Sequence, residues 1–286
     1  MSKQKMVIEG EKYSSRDRVR ADRTDKLYEH IPEGDTLVTI KDLNVTYRTD
    51  STSTIAVDNL SFDIKKGELL SIVGPSGCGK STILRCISGL LQPTSGEIMI
   101  GNNKCTTAGS DRGMVFQDFA LFPWRSVRKN IEFGLEIAGV PEKERRERSD
   151  RYLKAMGLEE YGDHRIHELS GGMKQRVGIA RAMIMHPAVI LMDEPFGALD
   201  AQTRNILQHS LVEVLKNSHR TIVFVTHSVD EAIYISDRIM VLSKRPATIH
   251  EIIEVPGERP RDRAAPEYAS LRRKILDYLE SQNTIL

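Results

Sequence analysis

The spacing of apolar and polar positions changes period several times along the chain, and each change marks an element. Leu37-Val38-Thr39-Ile40, Val45-Thr46-Tyr47 and the stretch from Ala56 to Ile64 alternate as half-buried strands do, which predicts an antiparallel layer. Leu69-Leu70-Ser71-Ile72-Val73 is a continuous apolar run that stops at Gly74. After Lys80 the apolar positions Ile83, Leu84, Ile87, Leu90 and Leu91 recur at helical spacing, so the order is strand, loop, helix. A strand is expected over Gly113–Gln117, and then a helical run that opens with Ile131, Phe133, Leu135 and Ile137. The charged stretch Pro141–Arg148 continues that run to Gly157 as a solvated helix face. Short apolar runs return at Val189–Met192, Thr221–Thr226 and Arg238–Leu242, with helical stretches between them.

Strand and helix in alternation predict an α/β fold with a mostly parallel sheet, flanked by the antiparallel layer and interrupted by a helical insertion. The expected boundaries are a flexible or loosely docked extension over residues 1–35, a main domain over 36–262 with its helical subdomain at about 118–185, and a C-terminal helix over 263–286.

Composition narrows the function classes. Lys plus Arg number 41 against 40 Asp plus Glu, so the chain lacks the basic excess of a nucleic-acid binder. No stretch approaches the roughly 20 apolar residues of a spanning helix, and the start Met1-Ser2-Lys3-Gln4-Lys5 leads into no signal-peptide core. The expectation is a soluble chain that stays in the cytosol. Cys78, Cys86 and Cys105 have no metal-ligand spacing, and reduced thiols fit that compartment.

Three motifs carry the chemistry. Gly74-Pro75-Ser76-Gly77-Cys78-Gly79-Lys80-Ser81-Thr82 matches G-x-x-x-x-G-K-[ST], between a strand and a helix. Its glycines allow the backbone N–H groups to approach phosphates, and the following helix offers its positive end. Lys80 is expected on the β- and γ-phosphates of ATP, and Ser81 on Mg²⁺. Cys78 reads as a small side chain in a tight spot, with a redox role as the alternative. Val189-Ile190-Leu191-Met192-Asp193-Glu194 is a buried strand ending in two carboxylates, and Asp193 is placed to hold the Mg²⁺ shell. Between them lies Leu169-Ser170-Gly171-Gly172-Met173-Lys174-Gln175-Arg176, in which Ser170 is a good helix N-cap and the glycines leave N–H groups accessible to an anion.

In this order the motifs resemble the ATP-binding subunits of ABC transporters, over about Thr36 to Asp262. The resemblance implies a P-loop NTPase core with an antiparallel β subdomain and an inserted α-helical subdomain. It implies that Glu194 is the general base, that His227 contacts the γ-phosphate and positions Glu194 with the attacking water, and that Gln117 approaches Mg²⁺ and opens the segment touching a membrane partner. Tyr47 matches the aromatic that stacks on adenine, or is core packing. It further implies a head-to-tail homodimer, in which Ser170, Gly171 and Gly172 cover the γ-phosphate held by the other copy and Asp200 lies at the seam.

The partner implied is a separate permease pair, with an extracytoplasmic solute-binding protein acting through it and the ATPase on the cytoplasmic face of the membrane. Phe119-Ala120-Leu121-Phe122-Pro123-Trp124 is the expected docking segment, with Trp124 as either a docking or a core residue. The run Met192–Asp200, the Phe-Pro-Trp and the Arg259-Pro260-Arg261-Asp262 tail are similar to the nitrate, sulfonate, taurine and bicarbonate branch of importers. The alternative is a non-transport ABC ATPase acting as a nucleotide-gated clamp on nucleic acid or a protein complex. Transport is favoured, because one set of motifs and an ordinary helical insertion lack the tandem halves or long coiled coil of such clamps, and the Gln117–Trp124 resemblance favours import over export.

Overall fold

The computed structural model describes residues 28, 30–197, 199–216, 220–259, 261–263 and 265–283. The expected extension therefore lies mostly outside the described residues. Its last part is tied down: Tyr28 and Ile31 are buried, the Tyr28 hydroxyl donates to Asp111 Oδ2 at 3.0 Å, and Lys66 Nζ donates to the Ile31 carbonyl at 2.6 Å.

Two compact units are present, one of residues 31–109, 191–194 and 220–286, the other of residues 1–30, 110–190 and 195–219. The first, the sheet unit, opens with β1 (Thr36–Arg48) and β2 (Ser53–Lys65), which pair antiparallel with Val38 opposite Ile64 and Ile40 opposite Phe62. β4 (Ser95–Ile100) lies on the other edge of β1, and the two-residue β5 (Asn103–Lys104) completes a four-stranded sheet of order β2-β1-β4-β5. Asp42 and Gly96 form the bulge that bends this sheet. A Cβ on Gly96 would lie 2.3 Å from the Asp42 carbonyl oxygen, and its φ of +89° lies in the region that favours glycine.

The second sheet has the order β10-β9-β3-β8-β7-β6, built from β3 (Leu69–Val73), β6 (Arg112–Val115), β7 (Val189–Asp193), β8 (Thr221–Val225), β9 (Arg238–Leu242) and β10 (Ile249–Glu254). β3 runs parallel to both β8 and β9, with Leu70 opposite Val223 and Ser71 opposite Ile239. Every residue of β3, β7 and β8 is buried, which is why these strands read as mainly apolar runs without alternation, Ser71 the one polar residue inside them. β10 pairs antiparallel with β9 at the edge. In this unit α1 (Lys80–Ser88) follows the glycine-rich loop, and α7 (Val229–Ile235) follows β8. The C-terminal α8 (Glu267–Asn283) packs Tyr268 and Ile275 into a cluster with Val73, Ile233 and Val241.

The helical unit contains β6, α2 (Val127–Ile131), α3 (Phe133–Ile137), α4 (Glu142–Ala155), α5 (Gly171–Met183) and α6 (Ala201–Lys216). The single helical run expected from Ile131 to Gly157 is thus broken. Gly139, at φ +74°, ends the run after α3, and Pro141 is the N-cap of α4. The charged face of α4 is mostly solvated, but Arg148 is buried and pairs with Glu144 one turn back. Asn130 is fully buried and holds the preceding loop: it donates to the carbonyls of Phe122 at 3.1 Å and Ser126 at 2.9 Å and accepts the Phe122 N–H at 2.8 Å.

Candidate nucleotide site

The loop between β3 and α1 has the backbone its glycines predict. Gly77 and Gly79 have φ of +69° and +131°, and a Cβ on Gly79 would lie 2.9 Å from the Ala56 carbonyl. A Cβ on Gly77 would meet nothing within 4 Å, so that part of the loop borders open space. Gly79 is the N-cap of α1 and no side chain caps the helix, which leaves its first turn available to an anion. Lys80 is buried and folds back over the loop, Nζ donating to the carbonyls of Gly74 and Pro75 at 2.9 Å each. Cys78 lies beneath, where a Cβ on Gly74 would come 2.9 Å from its Sγ, and burial pushes its thiol pKa up. With the side chain 1% exposed, the packing reading of Cys78 is favoured over a redox role.

β7 carries Asp193 to this loop. Ser81 Oγ donates to Asp193 Oδ1 at 2.8 Å. Burial raises the Asp193 pKa; the Ser81 hydrogen bond opposes the shift and the neighbouring Glu194 charge adds to it. A hydroxyl and a carboxylate are hard oxygen donors, and with the open loop beside them they fit Mg²⁺ carried in by phosphates. Among the described residues no group of three or more His, Cys, Asp or Glu could hold a metal unaided.

Glu194 turns out of the strand with φ at +44°, while its N–H stays on the Val225 carbonyl of β8 at 3.0 Å. That turn sets its Oε2 3.1 Å from Nδ1 of His227, which follows the end of β8. Tyr47, near the end of β1, is 42% exposed and its hydroxyl lies 3.1 Å from Thr82 Oγ1. The exposure takes it out of the core and leaves an aromatic face at the loop. Lys80, Ser81, Asp193, Glu194, His227 and Tyr47 thus all belong to the sheet unit.

The remaining expected residues belong to the helical unit. Ser170 caps α5, its Oγ accepting the Met173 N–H at 3.3 Å, and Ser170 and Gly171 are exposed. A Cβ on Gly172 would lie 2.7 Å from Thr203 Cγ2 of α6, so this glycine is a packing requirement as well. Asp200 caps α6 by accepting the Thr203 N–H at 3.0 Å, the bond that chiefly lowers its pKa. Gln117 does not end a strand: β6 stops at Val115, and Gln117 is exposed in the turn that follows. Phe119 and Ala120 then take left-handed φ of 62° and 44°, and their carbonyls accept from Arg181 of α5 at 3.0 and 2.7 Å. Trp124 is 70% exposed, which overturns the core alternative.

A family model described as ABC transporter matches residues 57–197. An uncharacterized ABC transporter ATP-binding protein of Methanocaldococcus jannaschii is 49% identical over 227 residues, which are 79% of this chain and 85% of that protein. The chain belongs to the ATP-binding subunits of ABC transporters. A nitrate import ATP-binding protein of Synechocystis is 43% identical over 86% of this chain and 96% of its own length. A taurine import ATP-binding protein of Roseobacter denitrificans is 42% identical over 78% and 86%. Among solved structures, the ATP-binding cassette MJ0796, described as a dimer in a post-hydrolysis state bound to ADP and Pi, is 35% identical with a TM-score of 0.69, covering 78% of this chain and all of that one.

As an ABC-transporter subunit this chain is an ATPase, related to nitrate and taurine import ATPases, and its family implies use of ATP and Mg²⁺. No helix among the described residues is long and apolar enough to cross a membrane. Two buried or half-buried groups carry no sequence signal of their own. Arg181, which holds the Phe119–Ala120 loop in the helical unit, is hidden in the basic positions of α5, and Glu231, which accepts from Thr226 in the sheet unit, reads as an ordinary first-turn acid of α7.

Proposed function

We propose that this ABC-transporter ATPase energises uptake of a small anion of the nitrate, sulfonate or taurine kind through separate permease subunits, working as a head-to-tail homodimer at the cytoplasmic face of the membrane. The observation that carries the reading is the 43% identity to a nitrate import ATPase across 254 residues, nearly that protein's whole length. The exposed Trp124, beside Phe122 at 5.5 Å between ring centroids, supports docking of a permease on that loop.

In this reading the glycine-rich loop Gly74–Thr82 cradles the phosphates of ATP, and Tyr47 stacks on its adenine. Lys80 exchanges the loop carbonyls it now holds for phosphate oxygens. Ser81 and Asp193 hold Mg²⁺, joined by Gln117. When bound, Mg²⁺ neutralises charge on the phosphate oxygens. Glu194 accepts a proton from the attacking water as its oxygen bonds the γ-phosphorus, and ADP leaves with the electron pair of the broken P–O bond. His227 holds the Glu194 carboxylate through Nδ1 and meets the γ-phosphate with its other edge. Ser170, Gly171 and Gly172 of the second copy cover that phosphate, and Asp200 lines the seam.

Glu194→Gln tests the reading. The amide keeps an acceptor for His227 but loses the base, so ATP binding persists while hydrolysis falls at least about a hundredfold. Purified from native membranes with ATP and Mg²⁺, this variant should bring a multispanning permease and a solute-binding protein. Recovery of nucleic acid or soluble partners alone overturns the transport reading, and undiminished turnover overturns Glu194 as the base.

A further inference from the structure

The His227 side chain is 59% exposed, so the packing around the ring does not fix its direction. Besides its contact with Glu194 at 3.1 Å, the backbone that carries it sets that direction. Thr226 and Ser228, on either side, belong to one hydrogen-bonded ring. The Ser228 N–H donates to Thr226 Oγ1 at 3.0 Å, which directs the single hydroxyl proton of Thr226 to Glu231 Oε2 at 2.6 Å. The Glu231 N–H then returns to Ser228 Oγ at 3.3 Å. Thr226 itself is anchored to β3, its N–H on the Ile72 carbonyl at 3.2 Å.

Ser228-Val229-Asp230-Glu231 has the sequence of a capping box, in which the glutamate would reach back to the N–H of the capping serine. Here the Thr226 hydroxyl stands between them and relays the contact. The Ser228 cap on the Glu231 N–H stays in place, and the insertion adds to it a clamp on the residue between Thr226 and Ser228, which is His227. Thr226 and Glu231 are 1% and 6% exposed, so water does not compete for these bonds.

We propose that Glu231 is a positioning residue for ATP hydrolysis, acting through Thr226 to fix the turn at 226–228 and hence the approach of His227 to Glu194. The inference rests on reading His227 and Glu194 as the hydrolytic pair. Glu231 touches no reacting atom, so its loss should act on turnover and not on nucleotide affinity.

The test is steady-state hydrolysis by the full chain, with kcat and KM for Mg-ATP measured separately. Glu231→Ala should lower kcat roughly 10- to 100-fold, the scale of a misplaced catalytic group, with KM within about twofold. Glu231→Gln, whose amide oxygen still accepts from Thr226, should keep kcat within about threefold of the parent. Added to His227→Ala, Glu231→Ala should cost less than about twofold more, because the residue it positions is already gone. Thr226→Val, close in shape but without the hydroxyl, should reproduce the kcat loss and serves if Glu231→Ala does not fold. Equal impairment by Glu231→Ala and Glu231→Gln, or losses that multiply with His227→Ala, would reduce Glu231 to a structural acid. If His227→Ala kept full turnover, the hydrolytic pair and the inference would fall together. If His227→Ala were crippled while Glu231→Ala and Thr226→Val ran at the parent rate, the inference alone would fall.

Discussion

Asp193 carries conflicting demands, and the conflict is measurable. A carboxylate at the end of a buried strand is desolvated, and its pKa lies above the ordinary 3.8. Because the unfolded chain ionises at the lower pH, the folded form holds more protons between the two values. The stability Asp193 contributes is therefore present at low pH and lost as pH rises through its folded pKa. Asp193→Asn keeps an oxygen for the Ser81 hydroxyl and removes the buried charge. The nucleotide-free variant should melt at a higher temperature than the parent at pH 7, with the advantage shrinking toward pH 4. If Asp193 holds Mg²⁺ as proposed, the thermal shift of the variant with Mg-ATP should shrink to less than about half of the parent's. A lower melting temperature at pH 7 would show that the carboxylate does not strain the free protein. Asp193, Glu194 and His227 could be found in the sequence because each follows an apolar run, where a buried strand delivers its next polar residue to the sheet edge. Glu231 could not. Asp230 and Glu231 share the first turn of α7, and the capping-box spacing from Ser228 marks Glu231 only as a helix cap; its bond to the Thr226 hydroxyl shows in the structure alone, where Asp230 faces out to Arg272.

At the scale of elements, α5 and α6 meet so closely that a methyl group should matter. Alanine at position 172 gains about 1 kcal/mol of helix propensity but sets a Cβ 2.7 Å from the Thr203 methyl, and overpacking of this kind costs about 1–3 kcal/mol. Gly172→Ala should lower the melting temperature of the nucleotide-free protein by about 2–4 °C, and Thr203→Ser added to it should restore most of the loss. Gly171→Ala is the control, since its Cβ would rest at an ordinary 3.5 Å from Leu199 Cδ2. Equal effects at both glycines would mean that helix-end conformation, and not the α5–α6 contact, sets the cost. Elements buried on one face or on both were legible, as in β1 to β3, β7 to β9 and α1. β4 was not, because Ile98 and Ile100 supply only two alternating buried positions after Gly96. β10 was hidden for another reason. Its edge is covered by α8, with His250 stacked on Tyr278 and Glu251 paired with Lys274, so polar residues sit where a lone strand would show alternation. The break between α3 and α4 was written in Gly139 and Pro141, which the longer helical periodicity around them masked.

At the scale of the whole molecule, two anion-receptive helix starts on one chain call for an explanation. The start of α1 follows the phosphate loop; the start of α5 is exposed at Ser170 and Gly171, and its N-cap hydroxyl serves the Met173 N–H. If the second serves another copy, a bulky cation at Ser170 should block assembly while sparing the loop in the sheet unit. In the Glu194→Gln background, Ser170→Arg should bind ATP within about twofold of its parent yet stay monomeric with ATP and Mg²⁺ by light scattering, where the parent dimerises. Arginine also removes the N-cap, a loss of about 1 kcal/mol that could loosen α5 by itself. Ser170→Gly separates the two effects, since glycine at an N-cap costs only a few tenths of a kcal/mol and adds no bulk. It should dimerise with modestly weaker dependence on ATP. Loss of ATP binding by monomeric Ser170→Arg would mean that α5 serves the nucleotide of its own chain, and the proposed homodimer would then have to close through other residues.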